Sequence, residues 1–131
     1  MDMKNLGFIL LALVLSVGVV SAQNKKIPKP VFDKNEHNFG KVNESAGTVT
    51  CEFNFTNKGN APFIIQRVQA SCGCTTPDYT NEPVLPGKSG TIKVSYSTTG
   101  RPGSFDKKVT VFSNVPDEVF VLTIKGEVLK K

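Results

Sequence analysis

The chain has no tryptophan, one histidine and three cysteines in 131 residues, and each scarcity narrows what it can do. Covalent catalysis by a cysteine or serine needs a base beside it, most often histidine. The one histidine, His37, lies between Glu36 and Asn38 in a polar stretch and reads as a solvated loop residue. No Asp-x-Asp or His-Glu-x-x-His run occurs, and no glycine-rich phosphate loop precedes a helix. The sequence therefore speaks against an enzyme and gives no reason to expect a cofactor. A closed zinc site takes four ligands, and Cys51, Cys72, Cys74 and the distant His37 do not converge on one. Helical periodicity is missing outside the first 22 residues.

What is present begins with a leader. A polar start containing Lys4 runs into an apolar stretch from Leu6 to Val20 and then Val20-Ser21-Ala22. These are the charged, apolar and small-residue regions of a secretory signal peptide. The run is shorter than the roughly 20 apolar residues of a membrane span. Residues 1–22 are thus expected to be removed after Ala22, leaving Gln23 first in an exported chain, periplasmic or secreted, with no membrane span. No cysteine follows the run, which argues against a lipoprotein anchor. The net charge is +5, from 16 basic and 11 acidic residues, and loss of Lys4 and Asp2 with the leader leaves it unchanged. Nucleic acid binding wants a basic stripe interleaved with stacking aromatics. Here the lysines are scattered, at Lys25, Lys26, Lys29, Lys107, Lys108, Lys130 and Lys131, so they read as a solvated surface and not as a nucleic acid interface.

Residues 23–30, lysine-rich and broken by Pro28 and Pro30, read as a flexible linker, with one folded domain over 31–131. Val31-Phe32 and Phe39-Gly40-Lys41-Val42 suggest a short, split first strand. Alternation is clearest where Val49, Cys51, Phe53 and Phe55 face one way and Thr48, Thr50, Glu52 and Asn54 the other, the pattern of a half-buried strand. Asn57-Lys58-Gly59-Asn60 has turn chemistry, which predicts a hairpin into a third strand from Pro62 to Ala70. Ser71 to Lys88 is rich in turn formers and reads as a long loop. Strand signal returns at Thr91–Tyr96, Phe105–Phe112 and Glu118–Leu129. Short strands with frequent turns and no helical pattern predict an all-β, immunoglobulin-like antiparallel β-sandwich of about seven strands. The missing tryptophan, and the lack of a cysteine pair spaced to bridge the sheets, exclude an antibody-type core.

Read in order, the signatures are H-N-F-G-K-V, F-N-F-T-N-K-G-N-A-P-F-I-I, S-C-G-C-T-T-P, L-P-G-K-S-G-T-I-K-V-S-Y, G-S-F-D-K-K-V-T-V-F-S-N and L-T-I-K-G-E-V. The set resembles the bacterial "domain of unknown function 1573" family from about Val31 to Val128. That family is similar to the immunoglobulin-like domains of the sperm-protein and hydin types. The resemblance implies a β-sandwich in an exported protein and no particular activity. Cys72-Gly73-Cys74 is its most specific part. Cys51 is a departure, standing where an ordinary inward apolar residue would serve.

Thiols pair in oxidising compartments, and three cysteines allow three single pairs. The expected hairpin would set Cys51 near Cys72 or Cys74, whereas Gly73 would permit a tight Cys72–Cys74 ring. Unpaired packed thiols, a redox couple and a Cu(I) clasp by Cys72 and Cys74 stay open beside these. The reading that follows is a non-enzymatic module that binds or assembles with another envelope protein. Its contact surfaces would be exposed strand edges and the Cys74–Lys88 loop, since a sheet edge accepts an added strand. The alternative is periplasmic thiol-redox or soft-metal (copper) handling through Cys72 and Cys74. N-terminal sequencing of the exported form should begin at Gln23; recovery of the uncleaved chain from membranes would refute the leader.

Overall fold

The computed structural model describes residues 25–130, so the leader and the junction at Ala22 and Gln23 lie outside the described residues. The strands are β1 (Pro30–Phe32), β2 (Glu36–Asn43), β3 (Thr48–Asn57), β4 (Ile65–Ala70), β5 (Thr75–Tyr79), β6 (Ser89–Ser97), β7 (Gly103–Ser113) and β8 (Val119–Leu129). They form two four-stranded sheets, in the orders β1-β3-β6-β5 and β2-β8-β7-β4. This is the two-sheet, all-β sandwich expected, and β1 and β2 are the split halves of the first strand, one in each sheet.

Alternation places the core as read from the sequence. Cys51, Phe53 and Phe55 of β3 are buried, as are Ile92, Val94 and Tyr96 of β6, Val109 and Val111 of β7, and Leu122 and Ile124 of β8. Aromatic rings lock the sheets together at both ends. Tyr96 of one sheet stacks on Phe105 of the other with centroids 3.9 Å apart. Phe55 meets Phe63 edge-on at 5.2 Å, and Phe32 lies between Phe55 and Phe120, at 5.3 Å and 5.9 Å.

The structure departs from the sequence reading in connectivity. Asn57–Asn60 does not close a hairpin, because β3 and β4 belong to different sheets and the chain crosses between them. A strand, β5, lies inside the stretch read as a long loop and pairs with β6. The sandwich is not wholly antiparallel, since β2 runs parallel to β8, with a register irregularity between Asn38 and Lys41. The split explains this: a strand that leaves one sheet for the other arrives beside β8 pointing the same way. His37 sits on β2 and not in a loop. The segment read as a flexible linker is docked from Ile27 onward, with Pro28 and Pro30 buried.

Phe53 is fully buried, so Phe53→Ala should lower unfolding free energy by about 3–5 kcal/mol. An unchanged melting temperature would contradict the inward face assigned to β3.

Candidate functional site

The N-terminal segment is anchored by one side chain. Asn57 closes β3 with no exposed surface, and all four hydrogen-bonding capacities of its amide are met. Its Oδ1 accepts from the backbone N–H of Lys29 at 3.1 Å and of Gly59 at 2.9 Å. Its Nδ2 donates to the carbonyls of Ala61 at 2.8 Å and Val84 at 2.9 Å. Backbone bonds reinforce the dock: Lys58 N–H donates to the Lys29 carbonyl and Asn60 N–H to that of Ile27, at 2.7 and 3.1 Å. Ile27 N–H in turn donates to Asn60 Oδ1 at 2.7 Å. A Cβ at Gly59 would collide with the Ile27 carbonyl and the Lys29 nitrogen. Gly59 is therefore required for close backbone approach and not for a turn.

Because the docked segment joins the other sheet, it leaves the start of β8 uncovered. β7 pairs with β8 all along Val119–Val128, whereas β2 reaches only from Thr123 onward. Thr123 N–H points away from β7 and donates to the Asn35 carbonyl at 2.9 Å. Peptide groups alternate in direction along a strand, so the N–H and C=O of Val121 and Val119 also point away from β7. No backbone partner meets them among the described residues. Two grooves flank this edge and share Phe120. One, of about 470 Å³, lies between Phe32–Asn35 and Val119–Leu122. The other, of about 630 Å³, lies between Ile27–Pro30, Lys58–Asn60 and Val115–Phe120. Val119 and Val121 are about half exposed, at 49% and 48%. Lys29, Lys58 and Lys34 rim the grooves, with Glu118 as the one acid.

The true outer edges are guarded, each in a recognised way. β1 is three residues long and begins with Pro30. β5 carries Pro77. β2 and β4 have register irregularities, at Asn38/Lys41 and Ile65/Arg67. The open run of β8 has neither a proline nor a register shift. The loop after β5 is held by antiparallel bridging of Val84 to Phe63, and its one large exposed apolar residue is Leu85.

The structure brings Cys72 and Cys74 together and leaves Cys51 apart. The sulfurs of Cys72 and Cys74 are at disulfide distance, with Cα atoms 5.3 Å apart. Cys51 is buried and free; it faces Val94, which faces Pro77, so it is two strand spacings, about 10 Å, from β5. Burial pushes its thiol up to about 11, which makes it inert packing. His37 stacks edge-on against Phe39 at 4.6 Å and accepts a hydrogen bond from the Lys34 ammonium on Nδ1 at 2.8 Å. Burial and then the Lys34 charge lower its pKa, so it is neutral, and no nucleophile contacts it among the described residues. No cluster of three or more His, Cys, Asp or Glu that could hold a metal occurs among the described residues, and no helix there is long and apolar enough to cross a membrane.

A family model described as "Protein of unknown function (DUF1573)" matches residues 30–128. No curated protein matches. Among solved structures, a protein of unknown function from Porphyromonas gingivalis W83 is similar at 14% identity and TM-score 0.66, over 78% of this chain and 47% of that one. The secreted serine protease VesC from Vibrio cholerae is similar at 14% identity and TM-score 0.56, over 79% of this chain and 23% of that one. The YadV chaperone is similar at 17% identity and TM-score 0.51, over 78% and 52%. This chain thus spans about half or less of each. Likeness at such identity establishes the sandwich fold and nothing of its use.

Proposed function

We propose that this chain, which belongs to the DUF1573 family of proteins of unknown function, is an exported, non-enzymatic module that binds another envelope protein by taking an extended segment onto β8. The observation that carries this reading is the unpaired backbone of Val119 and Val121, set over an apolar floor of Phe32 and Phe120. Strand addition draws affinity from main-chain hydrogen bonds and specificity from pockets for alternate side chains. The lysine rim favours a segment whose apolar residues are flanked by acids. The guarded outer edges direct the partner to β8, and the Cys74–Lys88 loop, held at Val84, is a secondary surface.

That a secreted protease and a chaperone contain a similar sandwich is compatible with a binding accessory but does not select it. Soft-metal handling is the weaker alternative, because sulfurs bonded to each other cannot clasp a cation.

A photo-crosslinking residue at position 121 in cells should trap a protein of the envelope fraction. Val119→Pro removes an outward N–H without touching the bonds to β7, so it should abolish the adduct while leaving the melting temperature nearly unchanged. Crosslinking that survives Val119→Pro, or that is equally strong from Lys93 on the polar outer face of the other sheet, would contradict strand addition at this edge.

A further inference from the structure

We propose that Cys72 and Cys74 form an exchangeable redox couple, reactive toward a pair of cysteine thiols on another exported polypeptide. This site is separate from the open edge of β8 and stands or falls independently of it.

Four observations carry the proposal. The first is asymmetric access, since Cys72 is half-buried whereas Cys74 is only 5% exposed. An incoming thiolate meets Cys72 as the more accessible of the two residues, which gives exchange a direction.

The second is Gly73 between them. Its φ is not in the left-handed region, and a Cβ placed on it would meet nothing within 4 Å. Neither backbone conformation nor internal packing requires glycine at this position. The position between the two cysteines is exposed and carries no side chain of its own.

The third is that the frame around the sulfurs does not depend on the bond between them. Ser71 N–H donates to the Lys108 carbonyl at 3.0 Å, Thr75 N–H to that of Cys72 at 3.3 Å, and Ser97 N–H to that of Cys74 at 2.9 Å. Lys108 N–H returns a bond to Ser71 Oγ at 3.2 Å. The reduced pair therefore keeps the shape of the oxidised pair. A ring enclosing a single intervening residue also constrains the unfolded chain very little. Stabilisation of the fold is a poor account of this disulfide.

The fourth is the polar surround of the sulfurs. Cys74 N–H donates to Cys72 Sγ at 3.3 Å, and Thr75 Oγ1 lies 3.8 Å from Cys72 Sγ and 3.7 Å from Cys74 Sγ. These donors favour a thiolate on either sulfur during exchange.

In the exchange, a thiolate of the partner attacks Cys72 Sγ. The partner–Cys72 bond forms as the Cys72–Cys74 bond breaks, and Cys74 leaves as a thiolate that takes up a proton. The partner's second thiol, once deprotonated, attacks its own sulfur in the mixed disulfide, and Cys72 is released as a thiolate held by Cys74 N–H and then protonated. Two electrons and two protons pass from the partner dithiol, which becomes a disulfide, to Cys72 and Cys74, which become a dithiol. The reverse sequence returns them.

The test is a redox titration of the purified native protein in buffers running from oxidised to reduced glutathione, with acid quenching, alkylation and mass analysis. The expected result is reversible two-thiol reduction within the glutathione range while circular dichroism stays native, with the free Cys51 adding one constant labelled thiol at every potential. Cys74→Ser should take up one glutathione, at Cys72, from oxidised glutathione. Gly73→Val should slow reduction of the otherwise unaltered protein by about tenfold or more through blocked access, with its thermal unfolding midpoint unchanged. A pair that stays oxidised across the whole range, that reduces only as the protein unfolds, or that reacts as fast with valine at position 73 would overturn the proposal.

Discussion

The satisfied amide of Asn57 is the interaction on which the rest of the arrangement depends. It sits where three segments meet: the docked N-terminal stretch, the crossing from β3 to β4, and the loop that leads into β6. Its oxygen holds Lys29 and Gly59, and its nitrogen holds Ala61 and Val84. A buried amide with any of these bonds missing carries a penalty of about 1–3 kcal/mol for each group left unmet. Fully satisfied, it selects a single path for the chain. With Lys29 fixed, Pro30–Phe32 must join β3, and the chain then has to change sheets before Glu36 to reach β8. The split first strand, the parallel pairing of β2 with β8 and the uncovered start of β8 all follow from that one fixed point.

This origin bears on what the open edge means. A strand edge is ordinarily a hazard, and the four outer edges here are each shortened, interrupted or carry proline. At β8 the exposed groups lie instead on a seam between Phe32–Asn35 and Val119–Leu122 that solvent reaches. Exposed Val119 and Val121 on this unguarded run are better explained by an occupant than by tolerance, because one charged side chain on that face would suffice to blunt it.

Much of the fold was legible in the residues because half-buried strands advertise themselves by alternation. β3, β6, β7 and β8 each carry three or more inward apolar or aromatic residues, and the structure buries the ones that the period selects. What the pattern missed has physical reasons. β5 is Thr-Thr-Pro-Asp-Tyr, an edge strand with little to bury and a proline, so nothing in it resembles a strand interior. Ile27 and Lys29 dock through their own backbone groups, met by the backbone and by the Asn57 and Asn60 side chains, so their own side chains leave no trace of it. Asn57-Lys58-Gly59-Asn60 has the composition of a hairpin turn, yet Asn57 is a buried clamp and Gly59 a point of backbone approach. The misplaced hairpin carried Cys51 toward the wrong neighbours, whereas the sheet assignment separates it from the pair. The cysteine motif itself was visible, but the unequal burial of Cys72 and Cys74 and the open space around Gly73 are three-dimensional facts.

The most direct measurement is residue-resolved amide hydrogen exchange along β8 in the isolated protein. Phe120 and Leu122 donate toward β7, while Val119 and Val121 point into the seam, so protection should alternate. Slow exchange at Phe120 and Leu122 with fast exchange at Val119 and Val121 is the predicted result. Equal protection at all four amides would mean that the start of β8 is already paired, and the account of an open edge would be wrong.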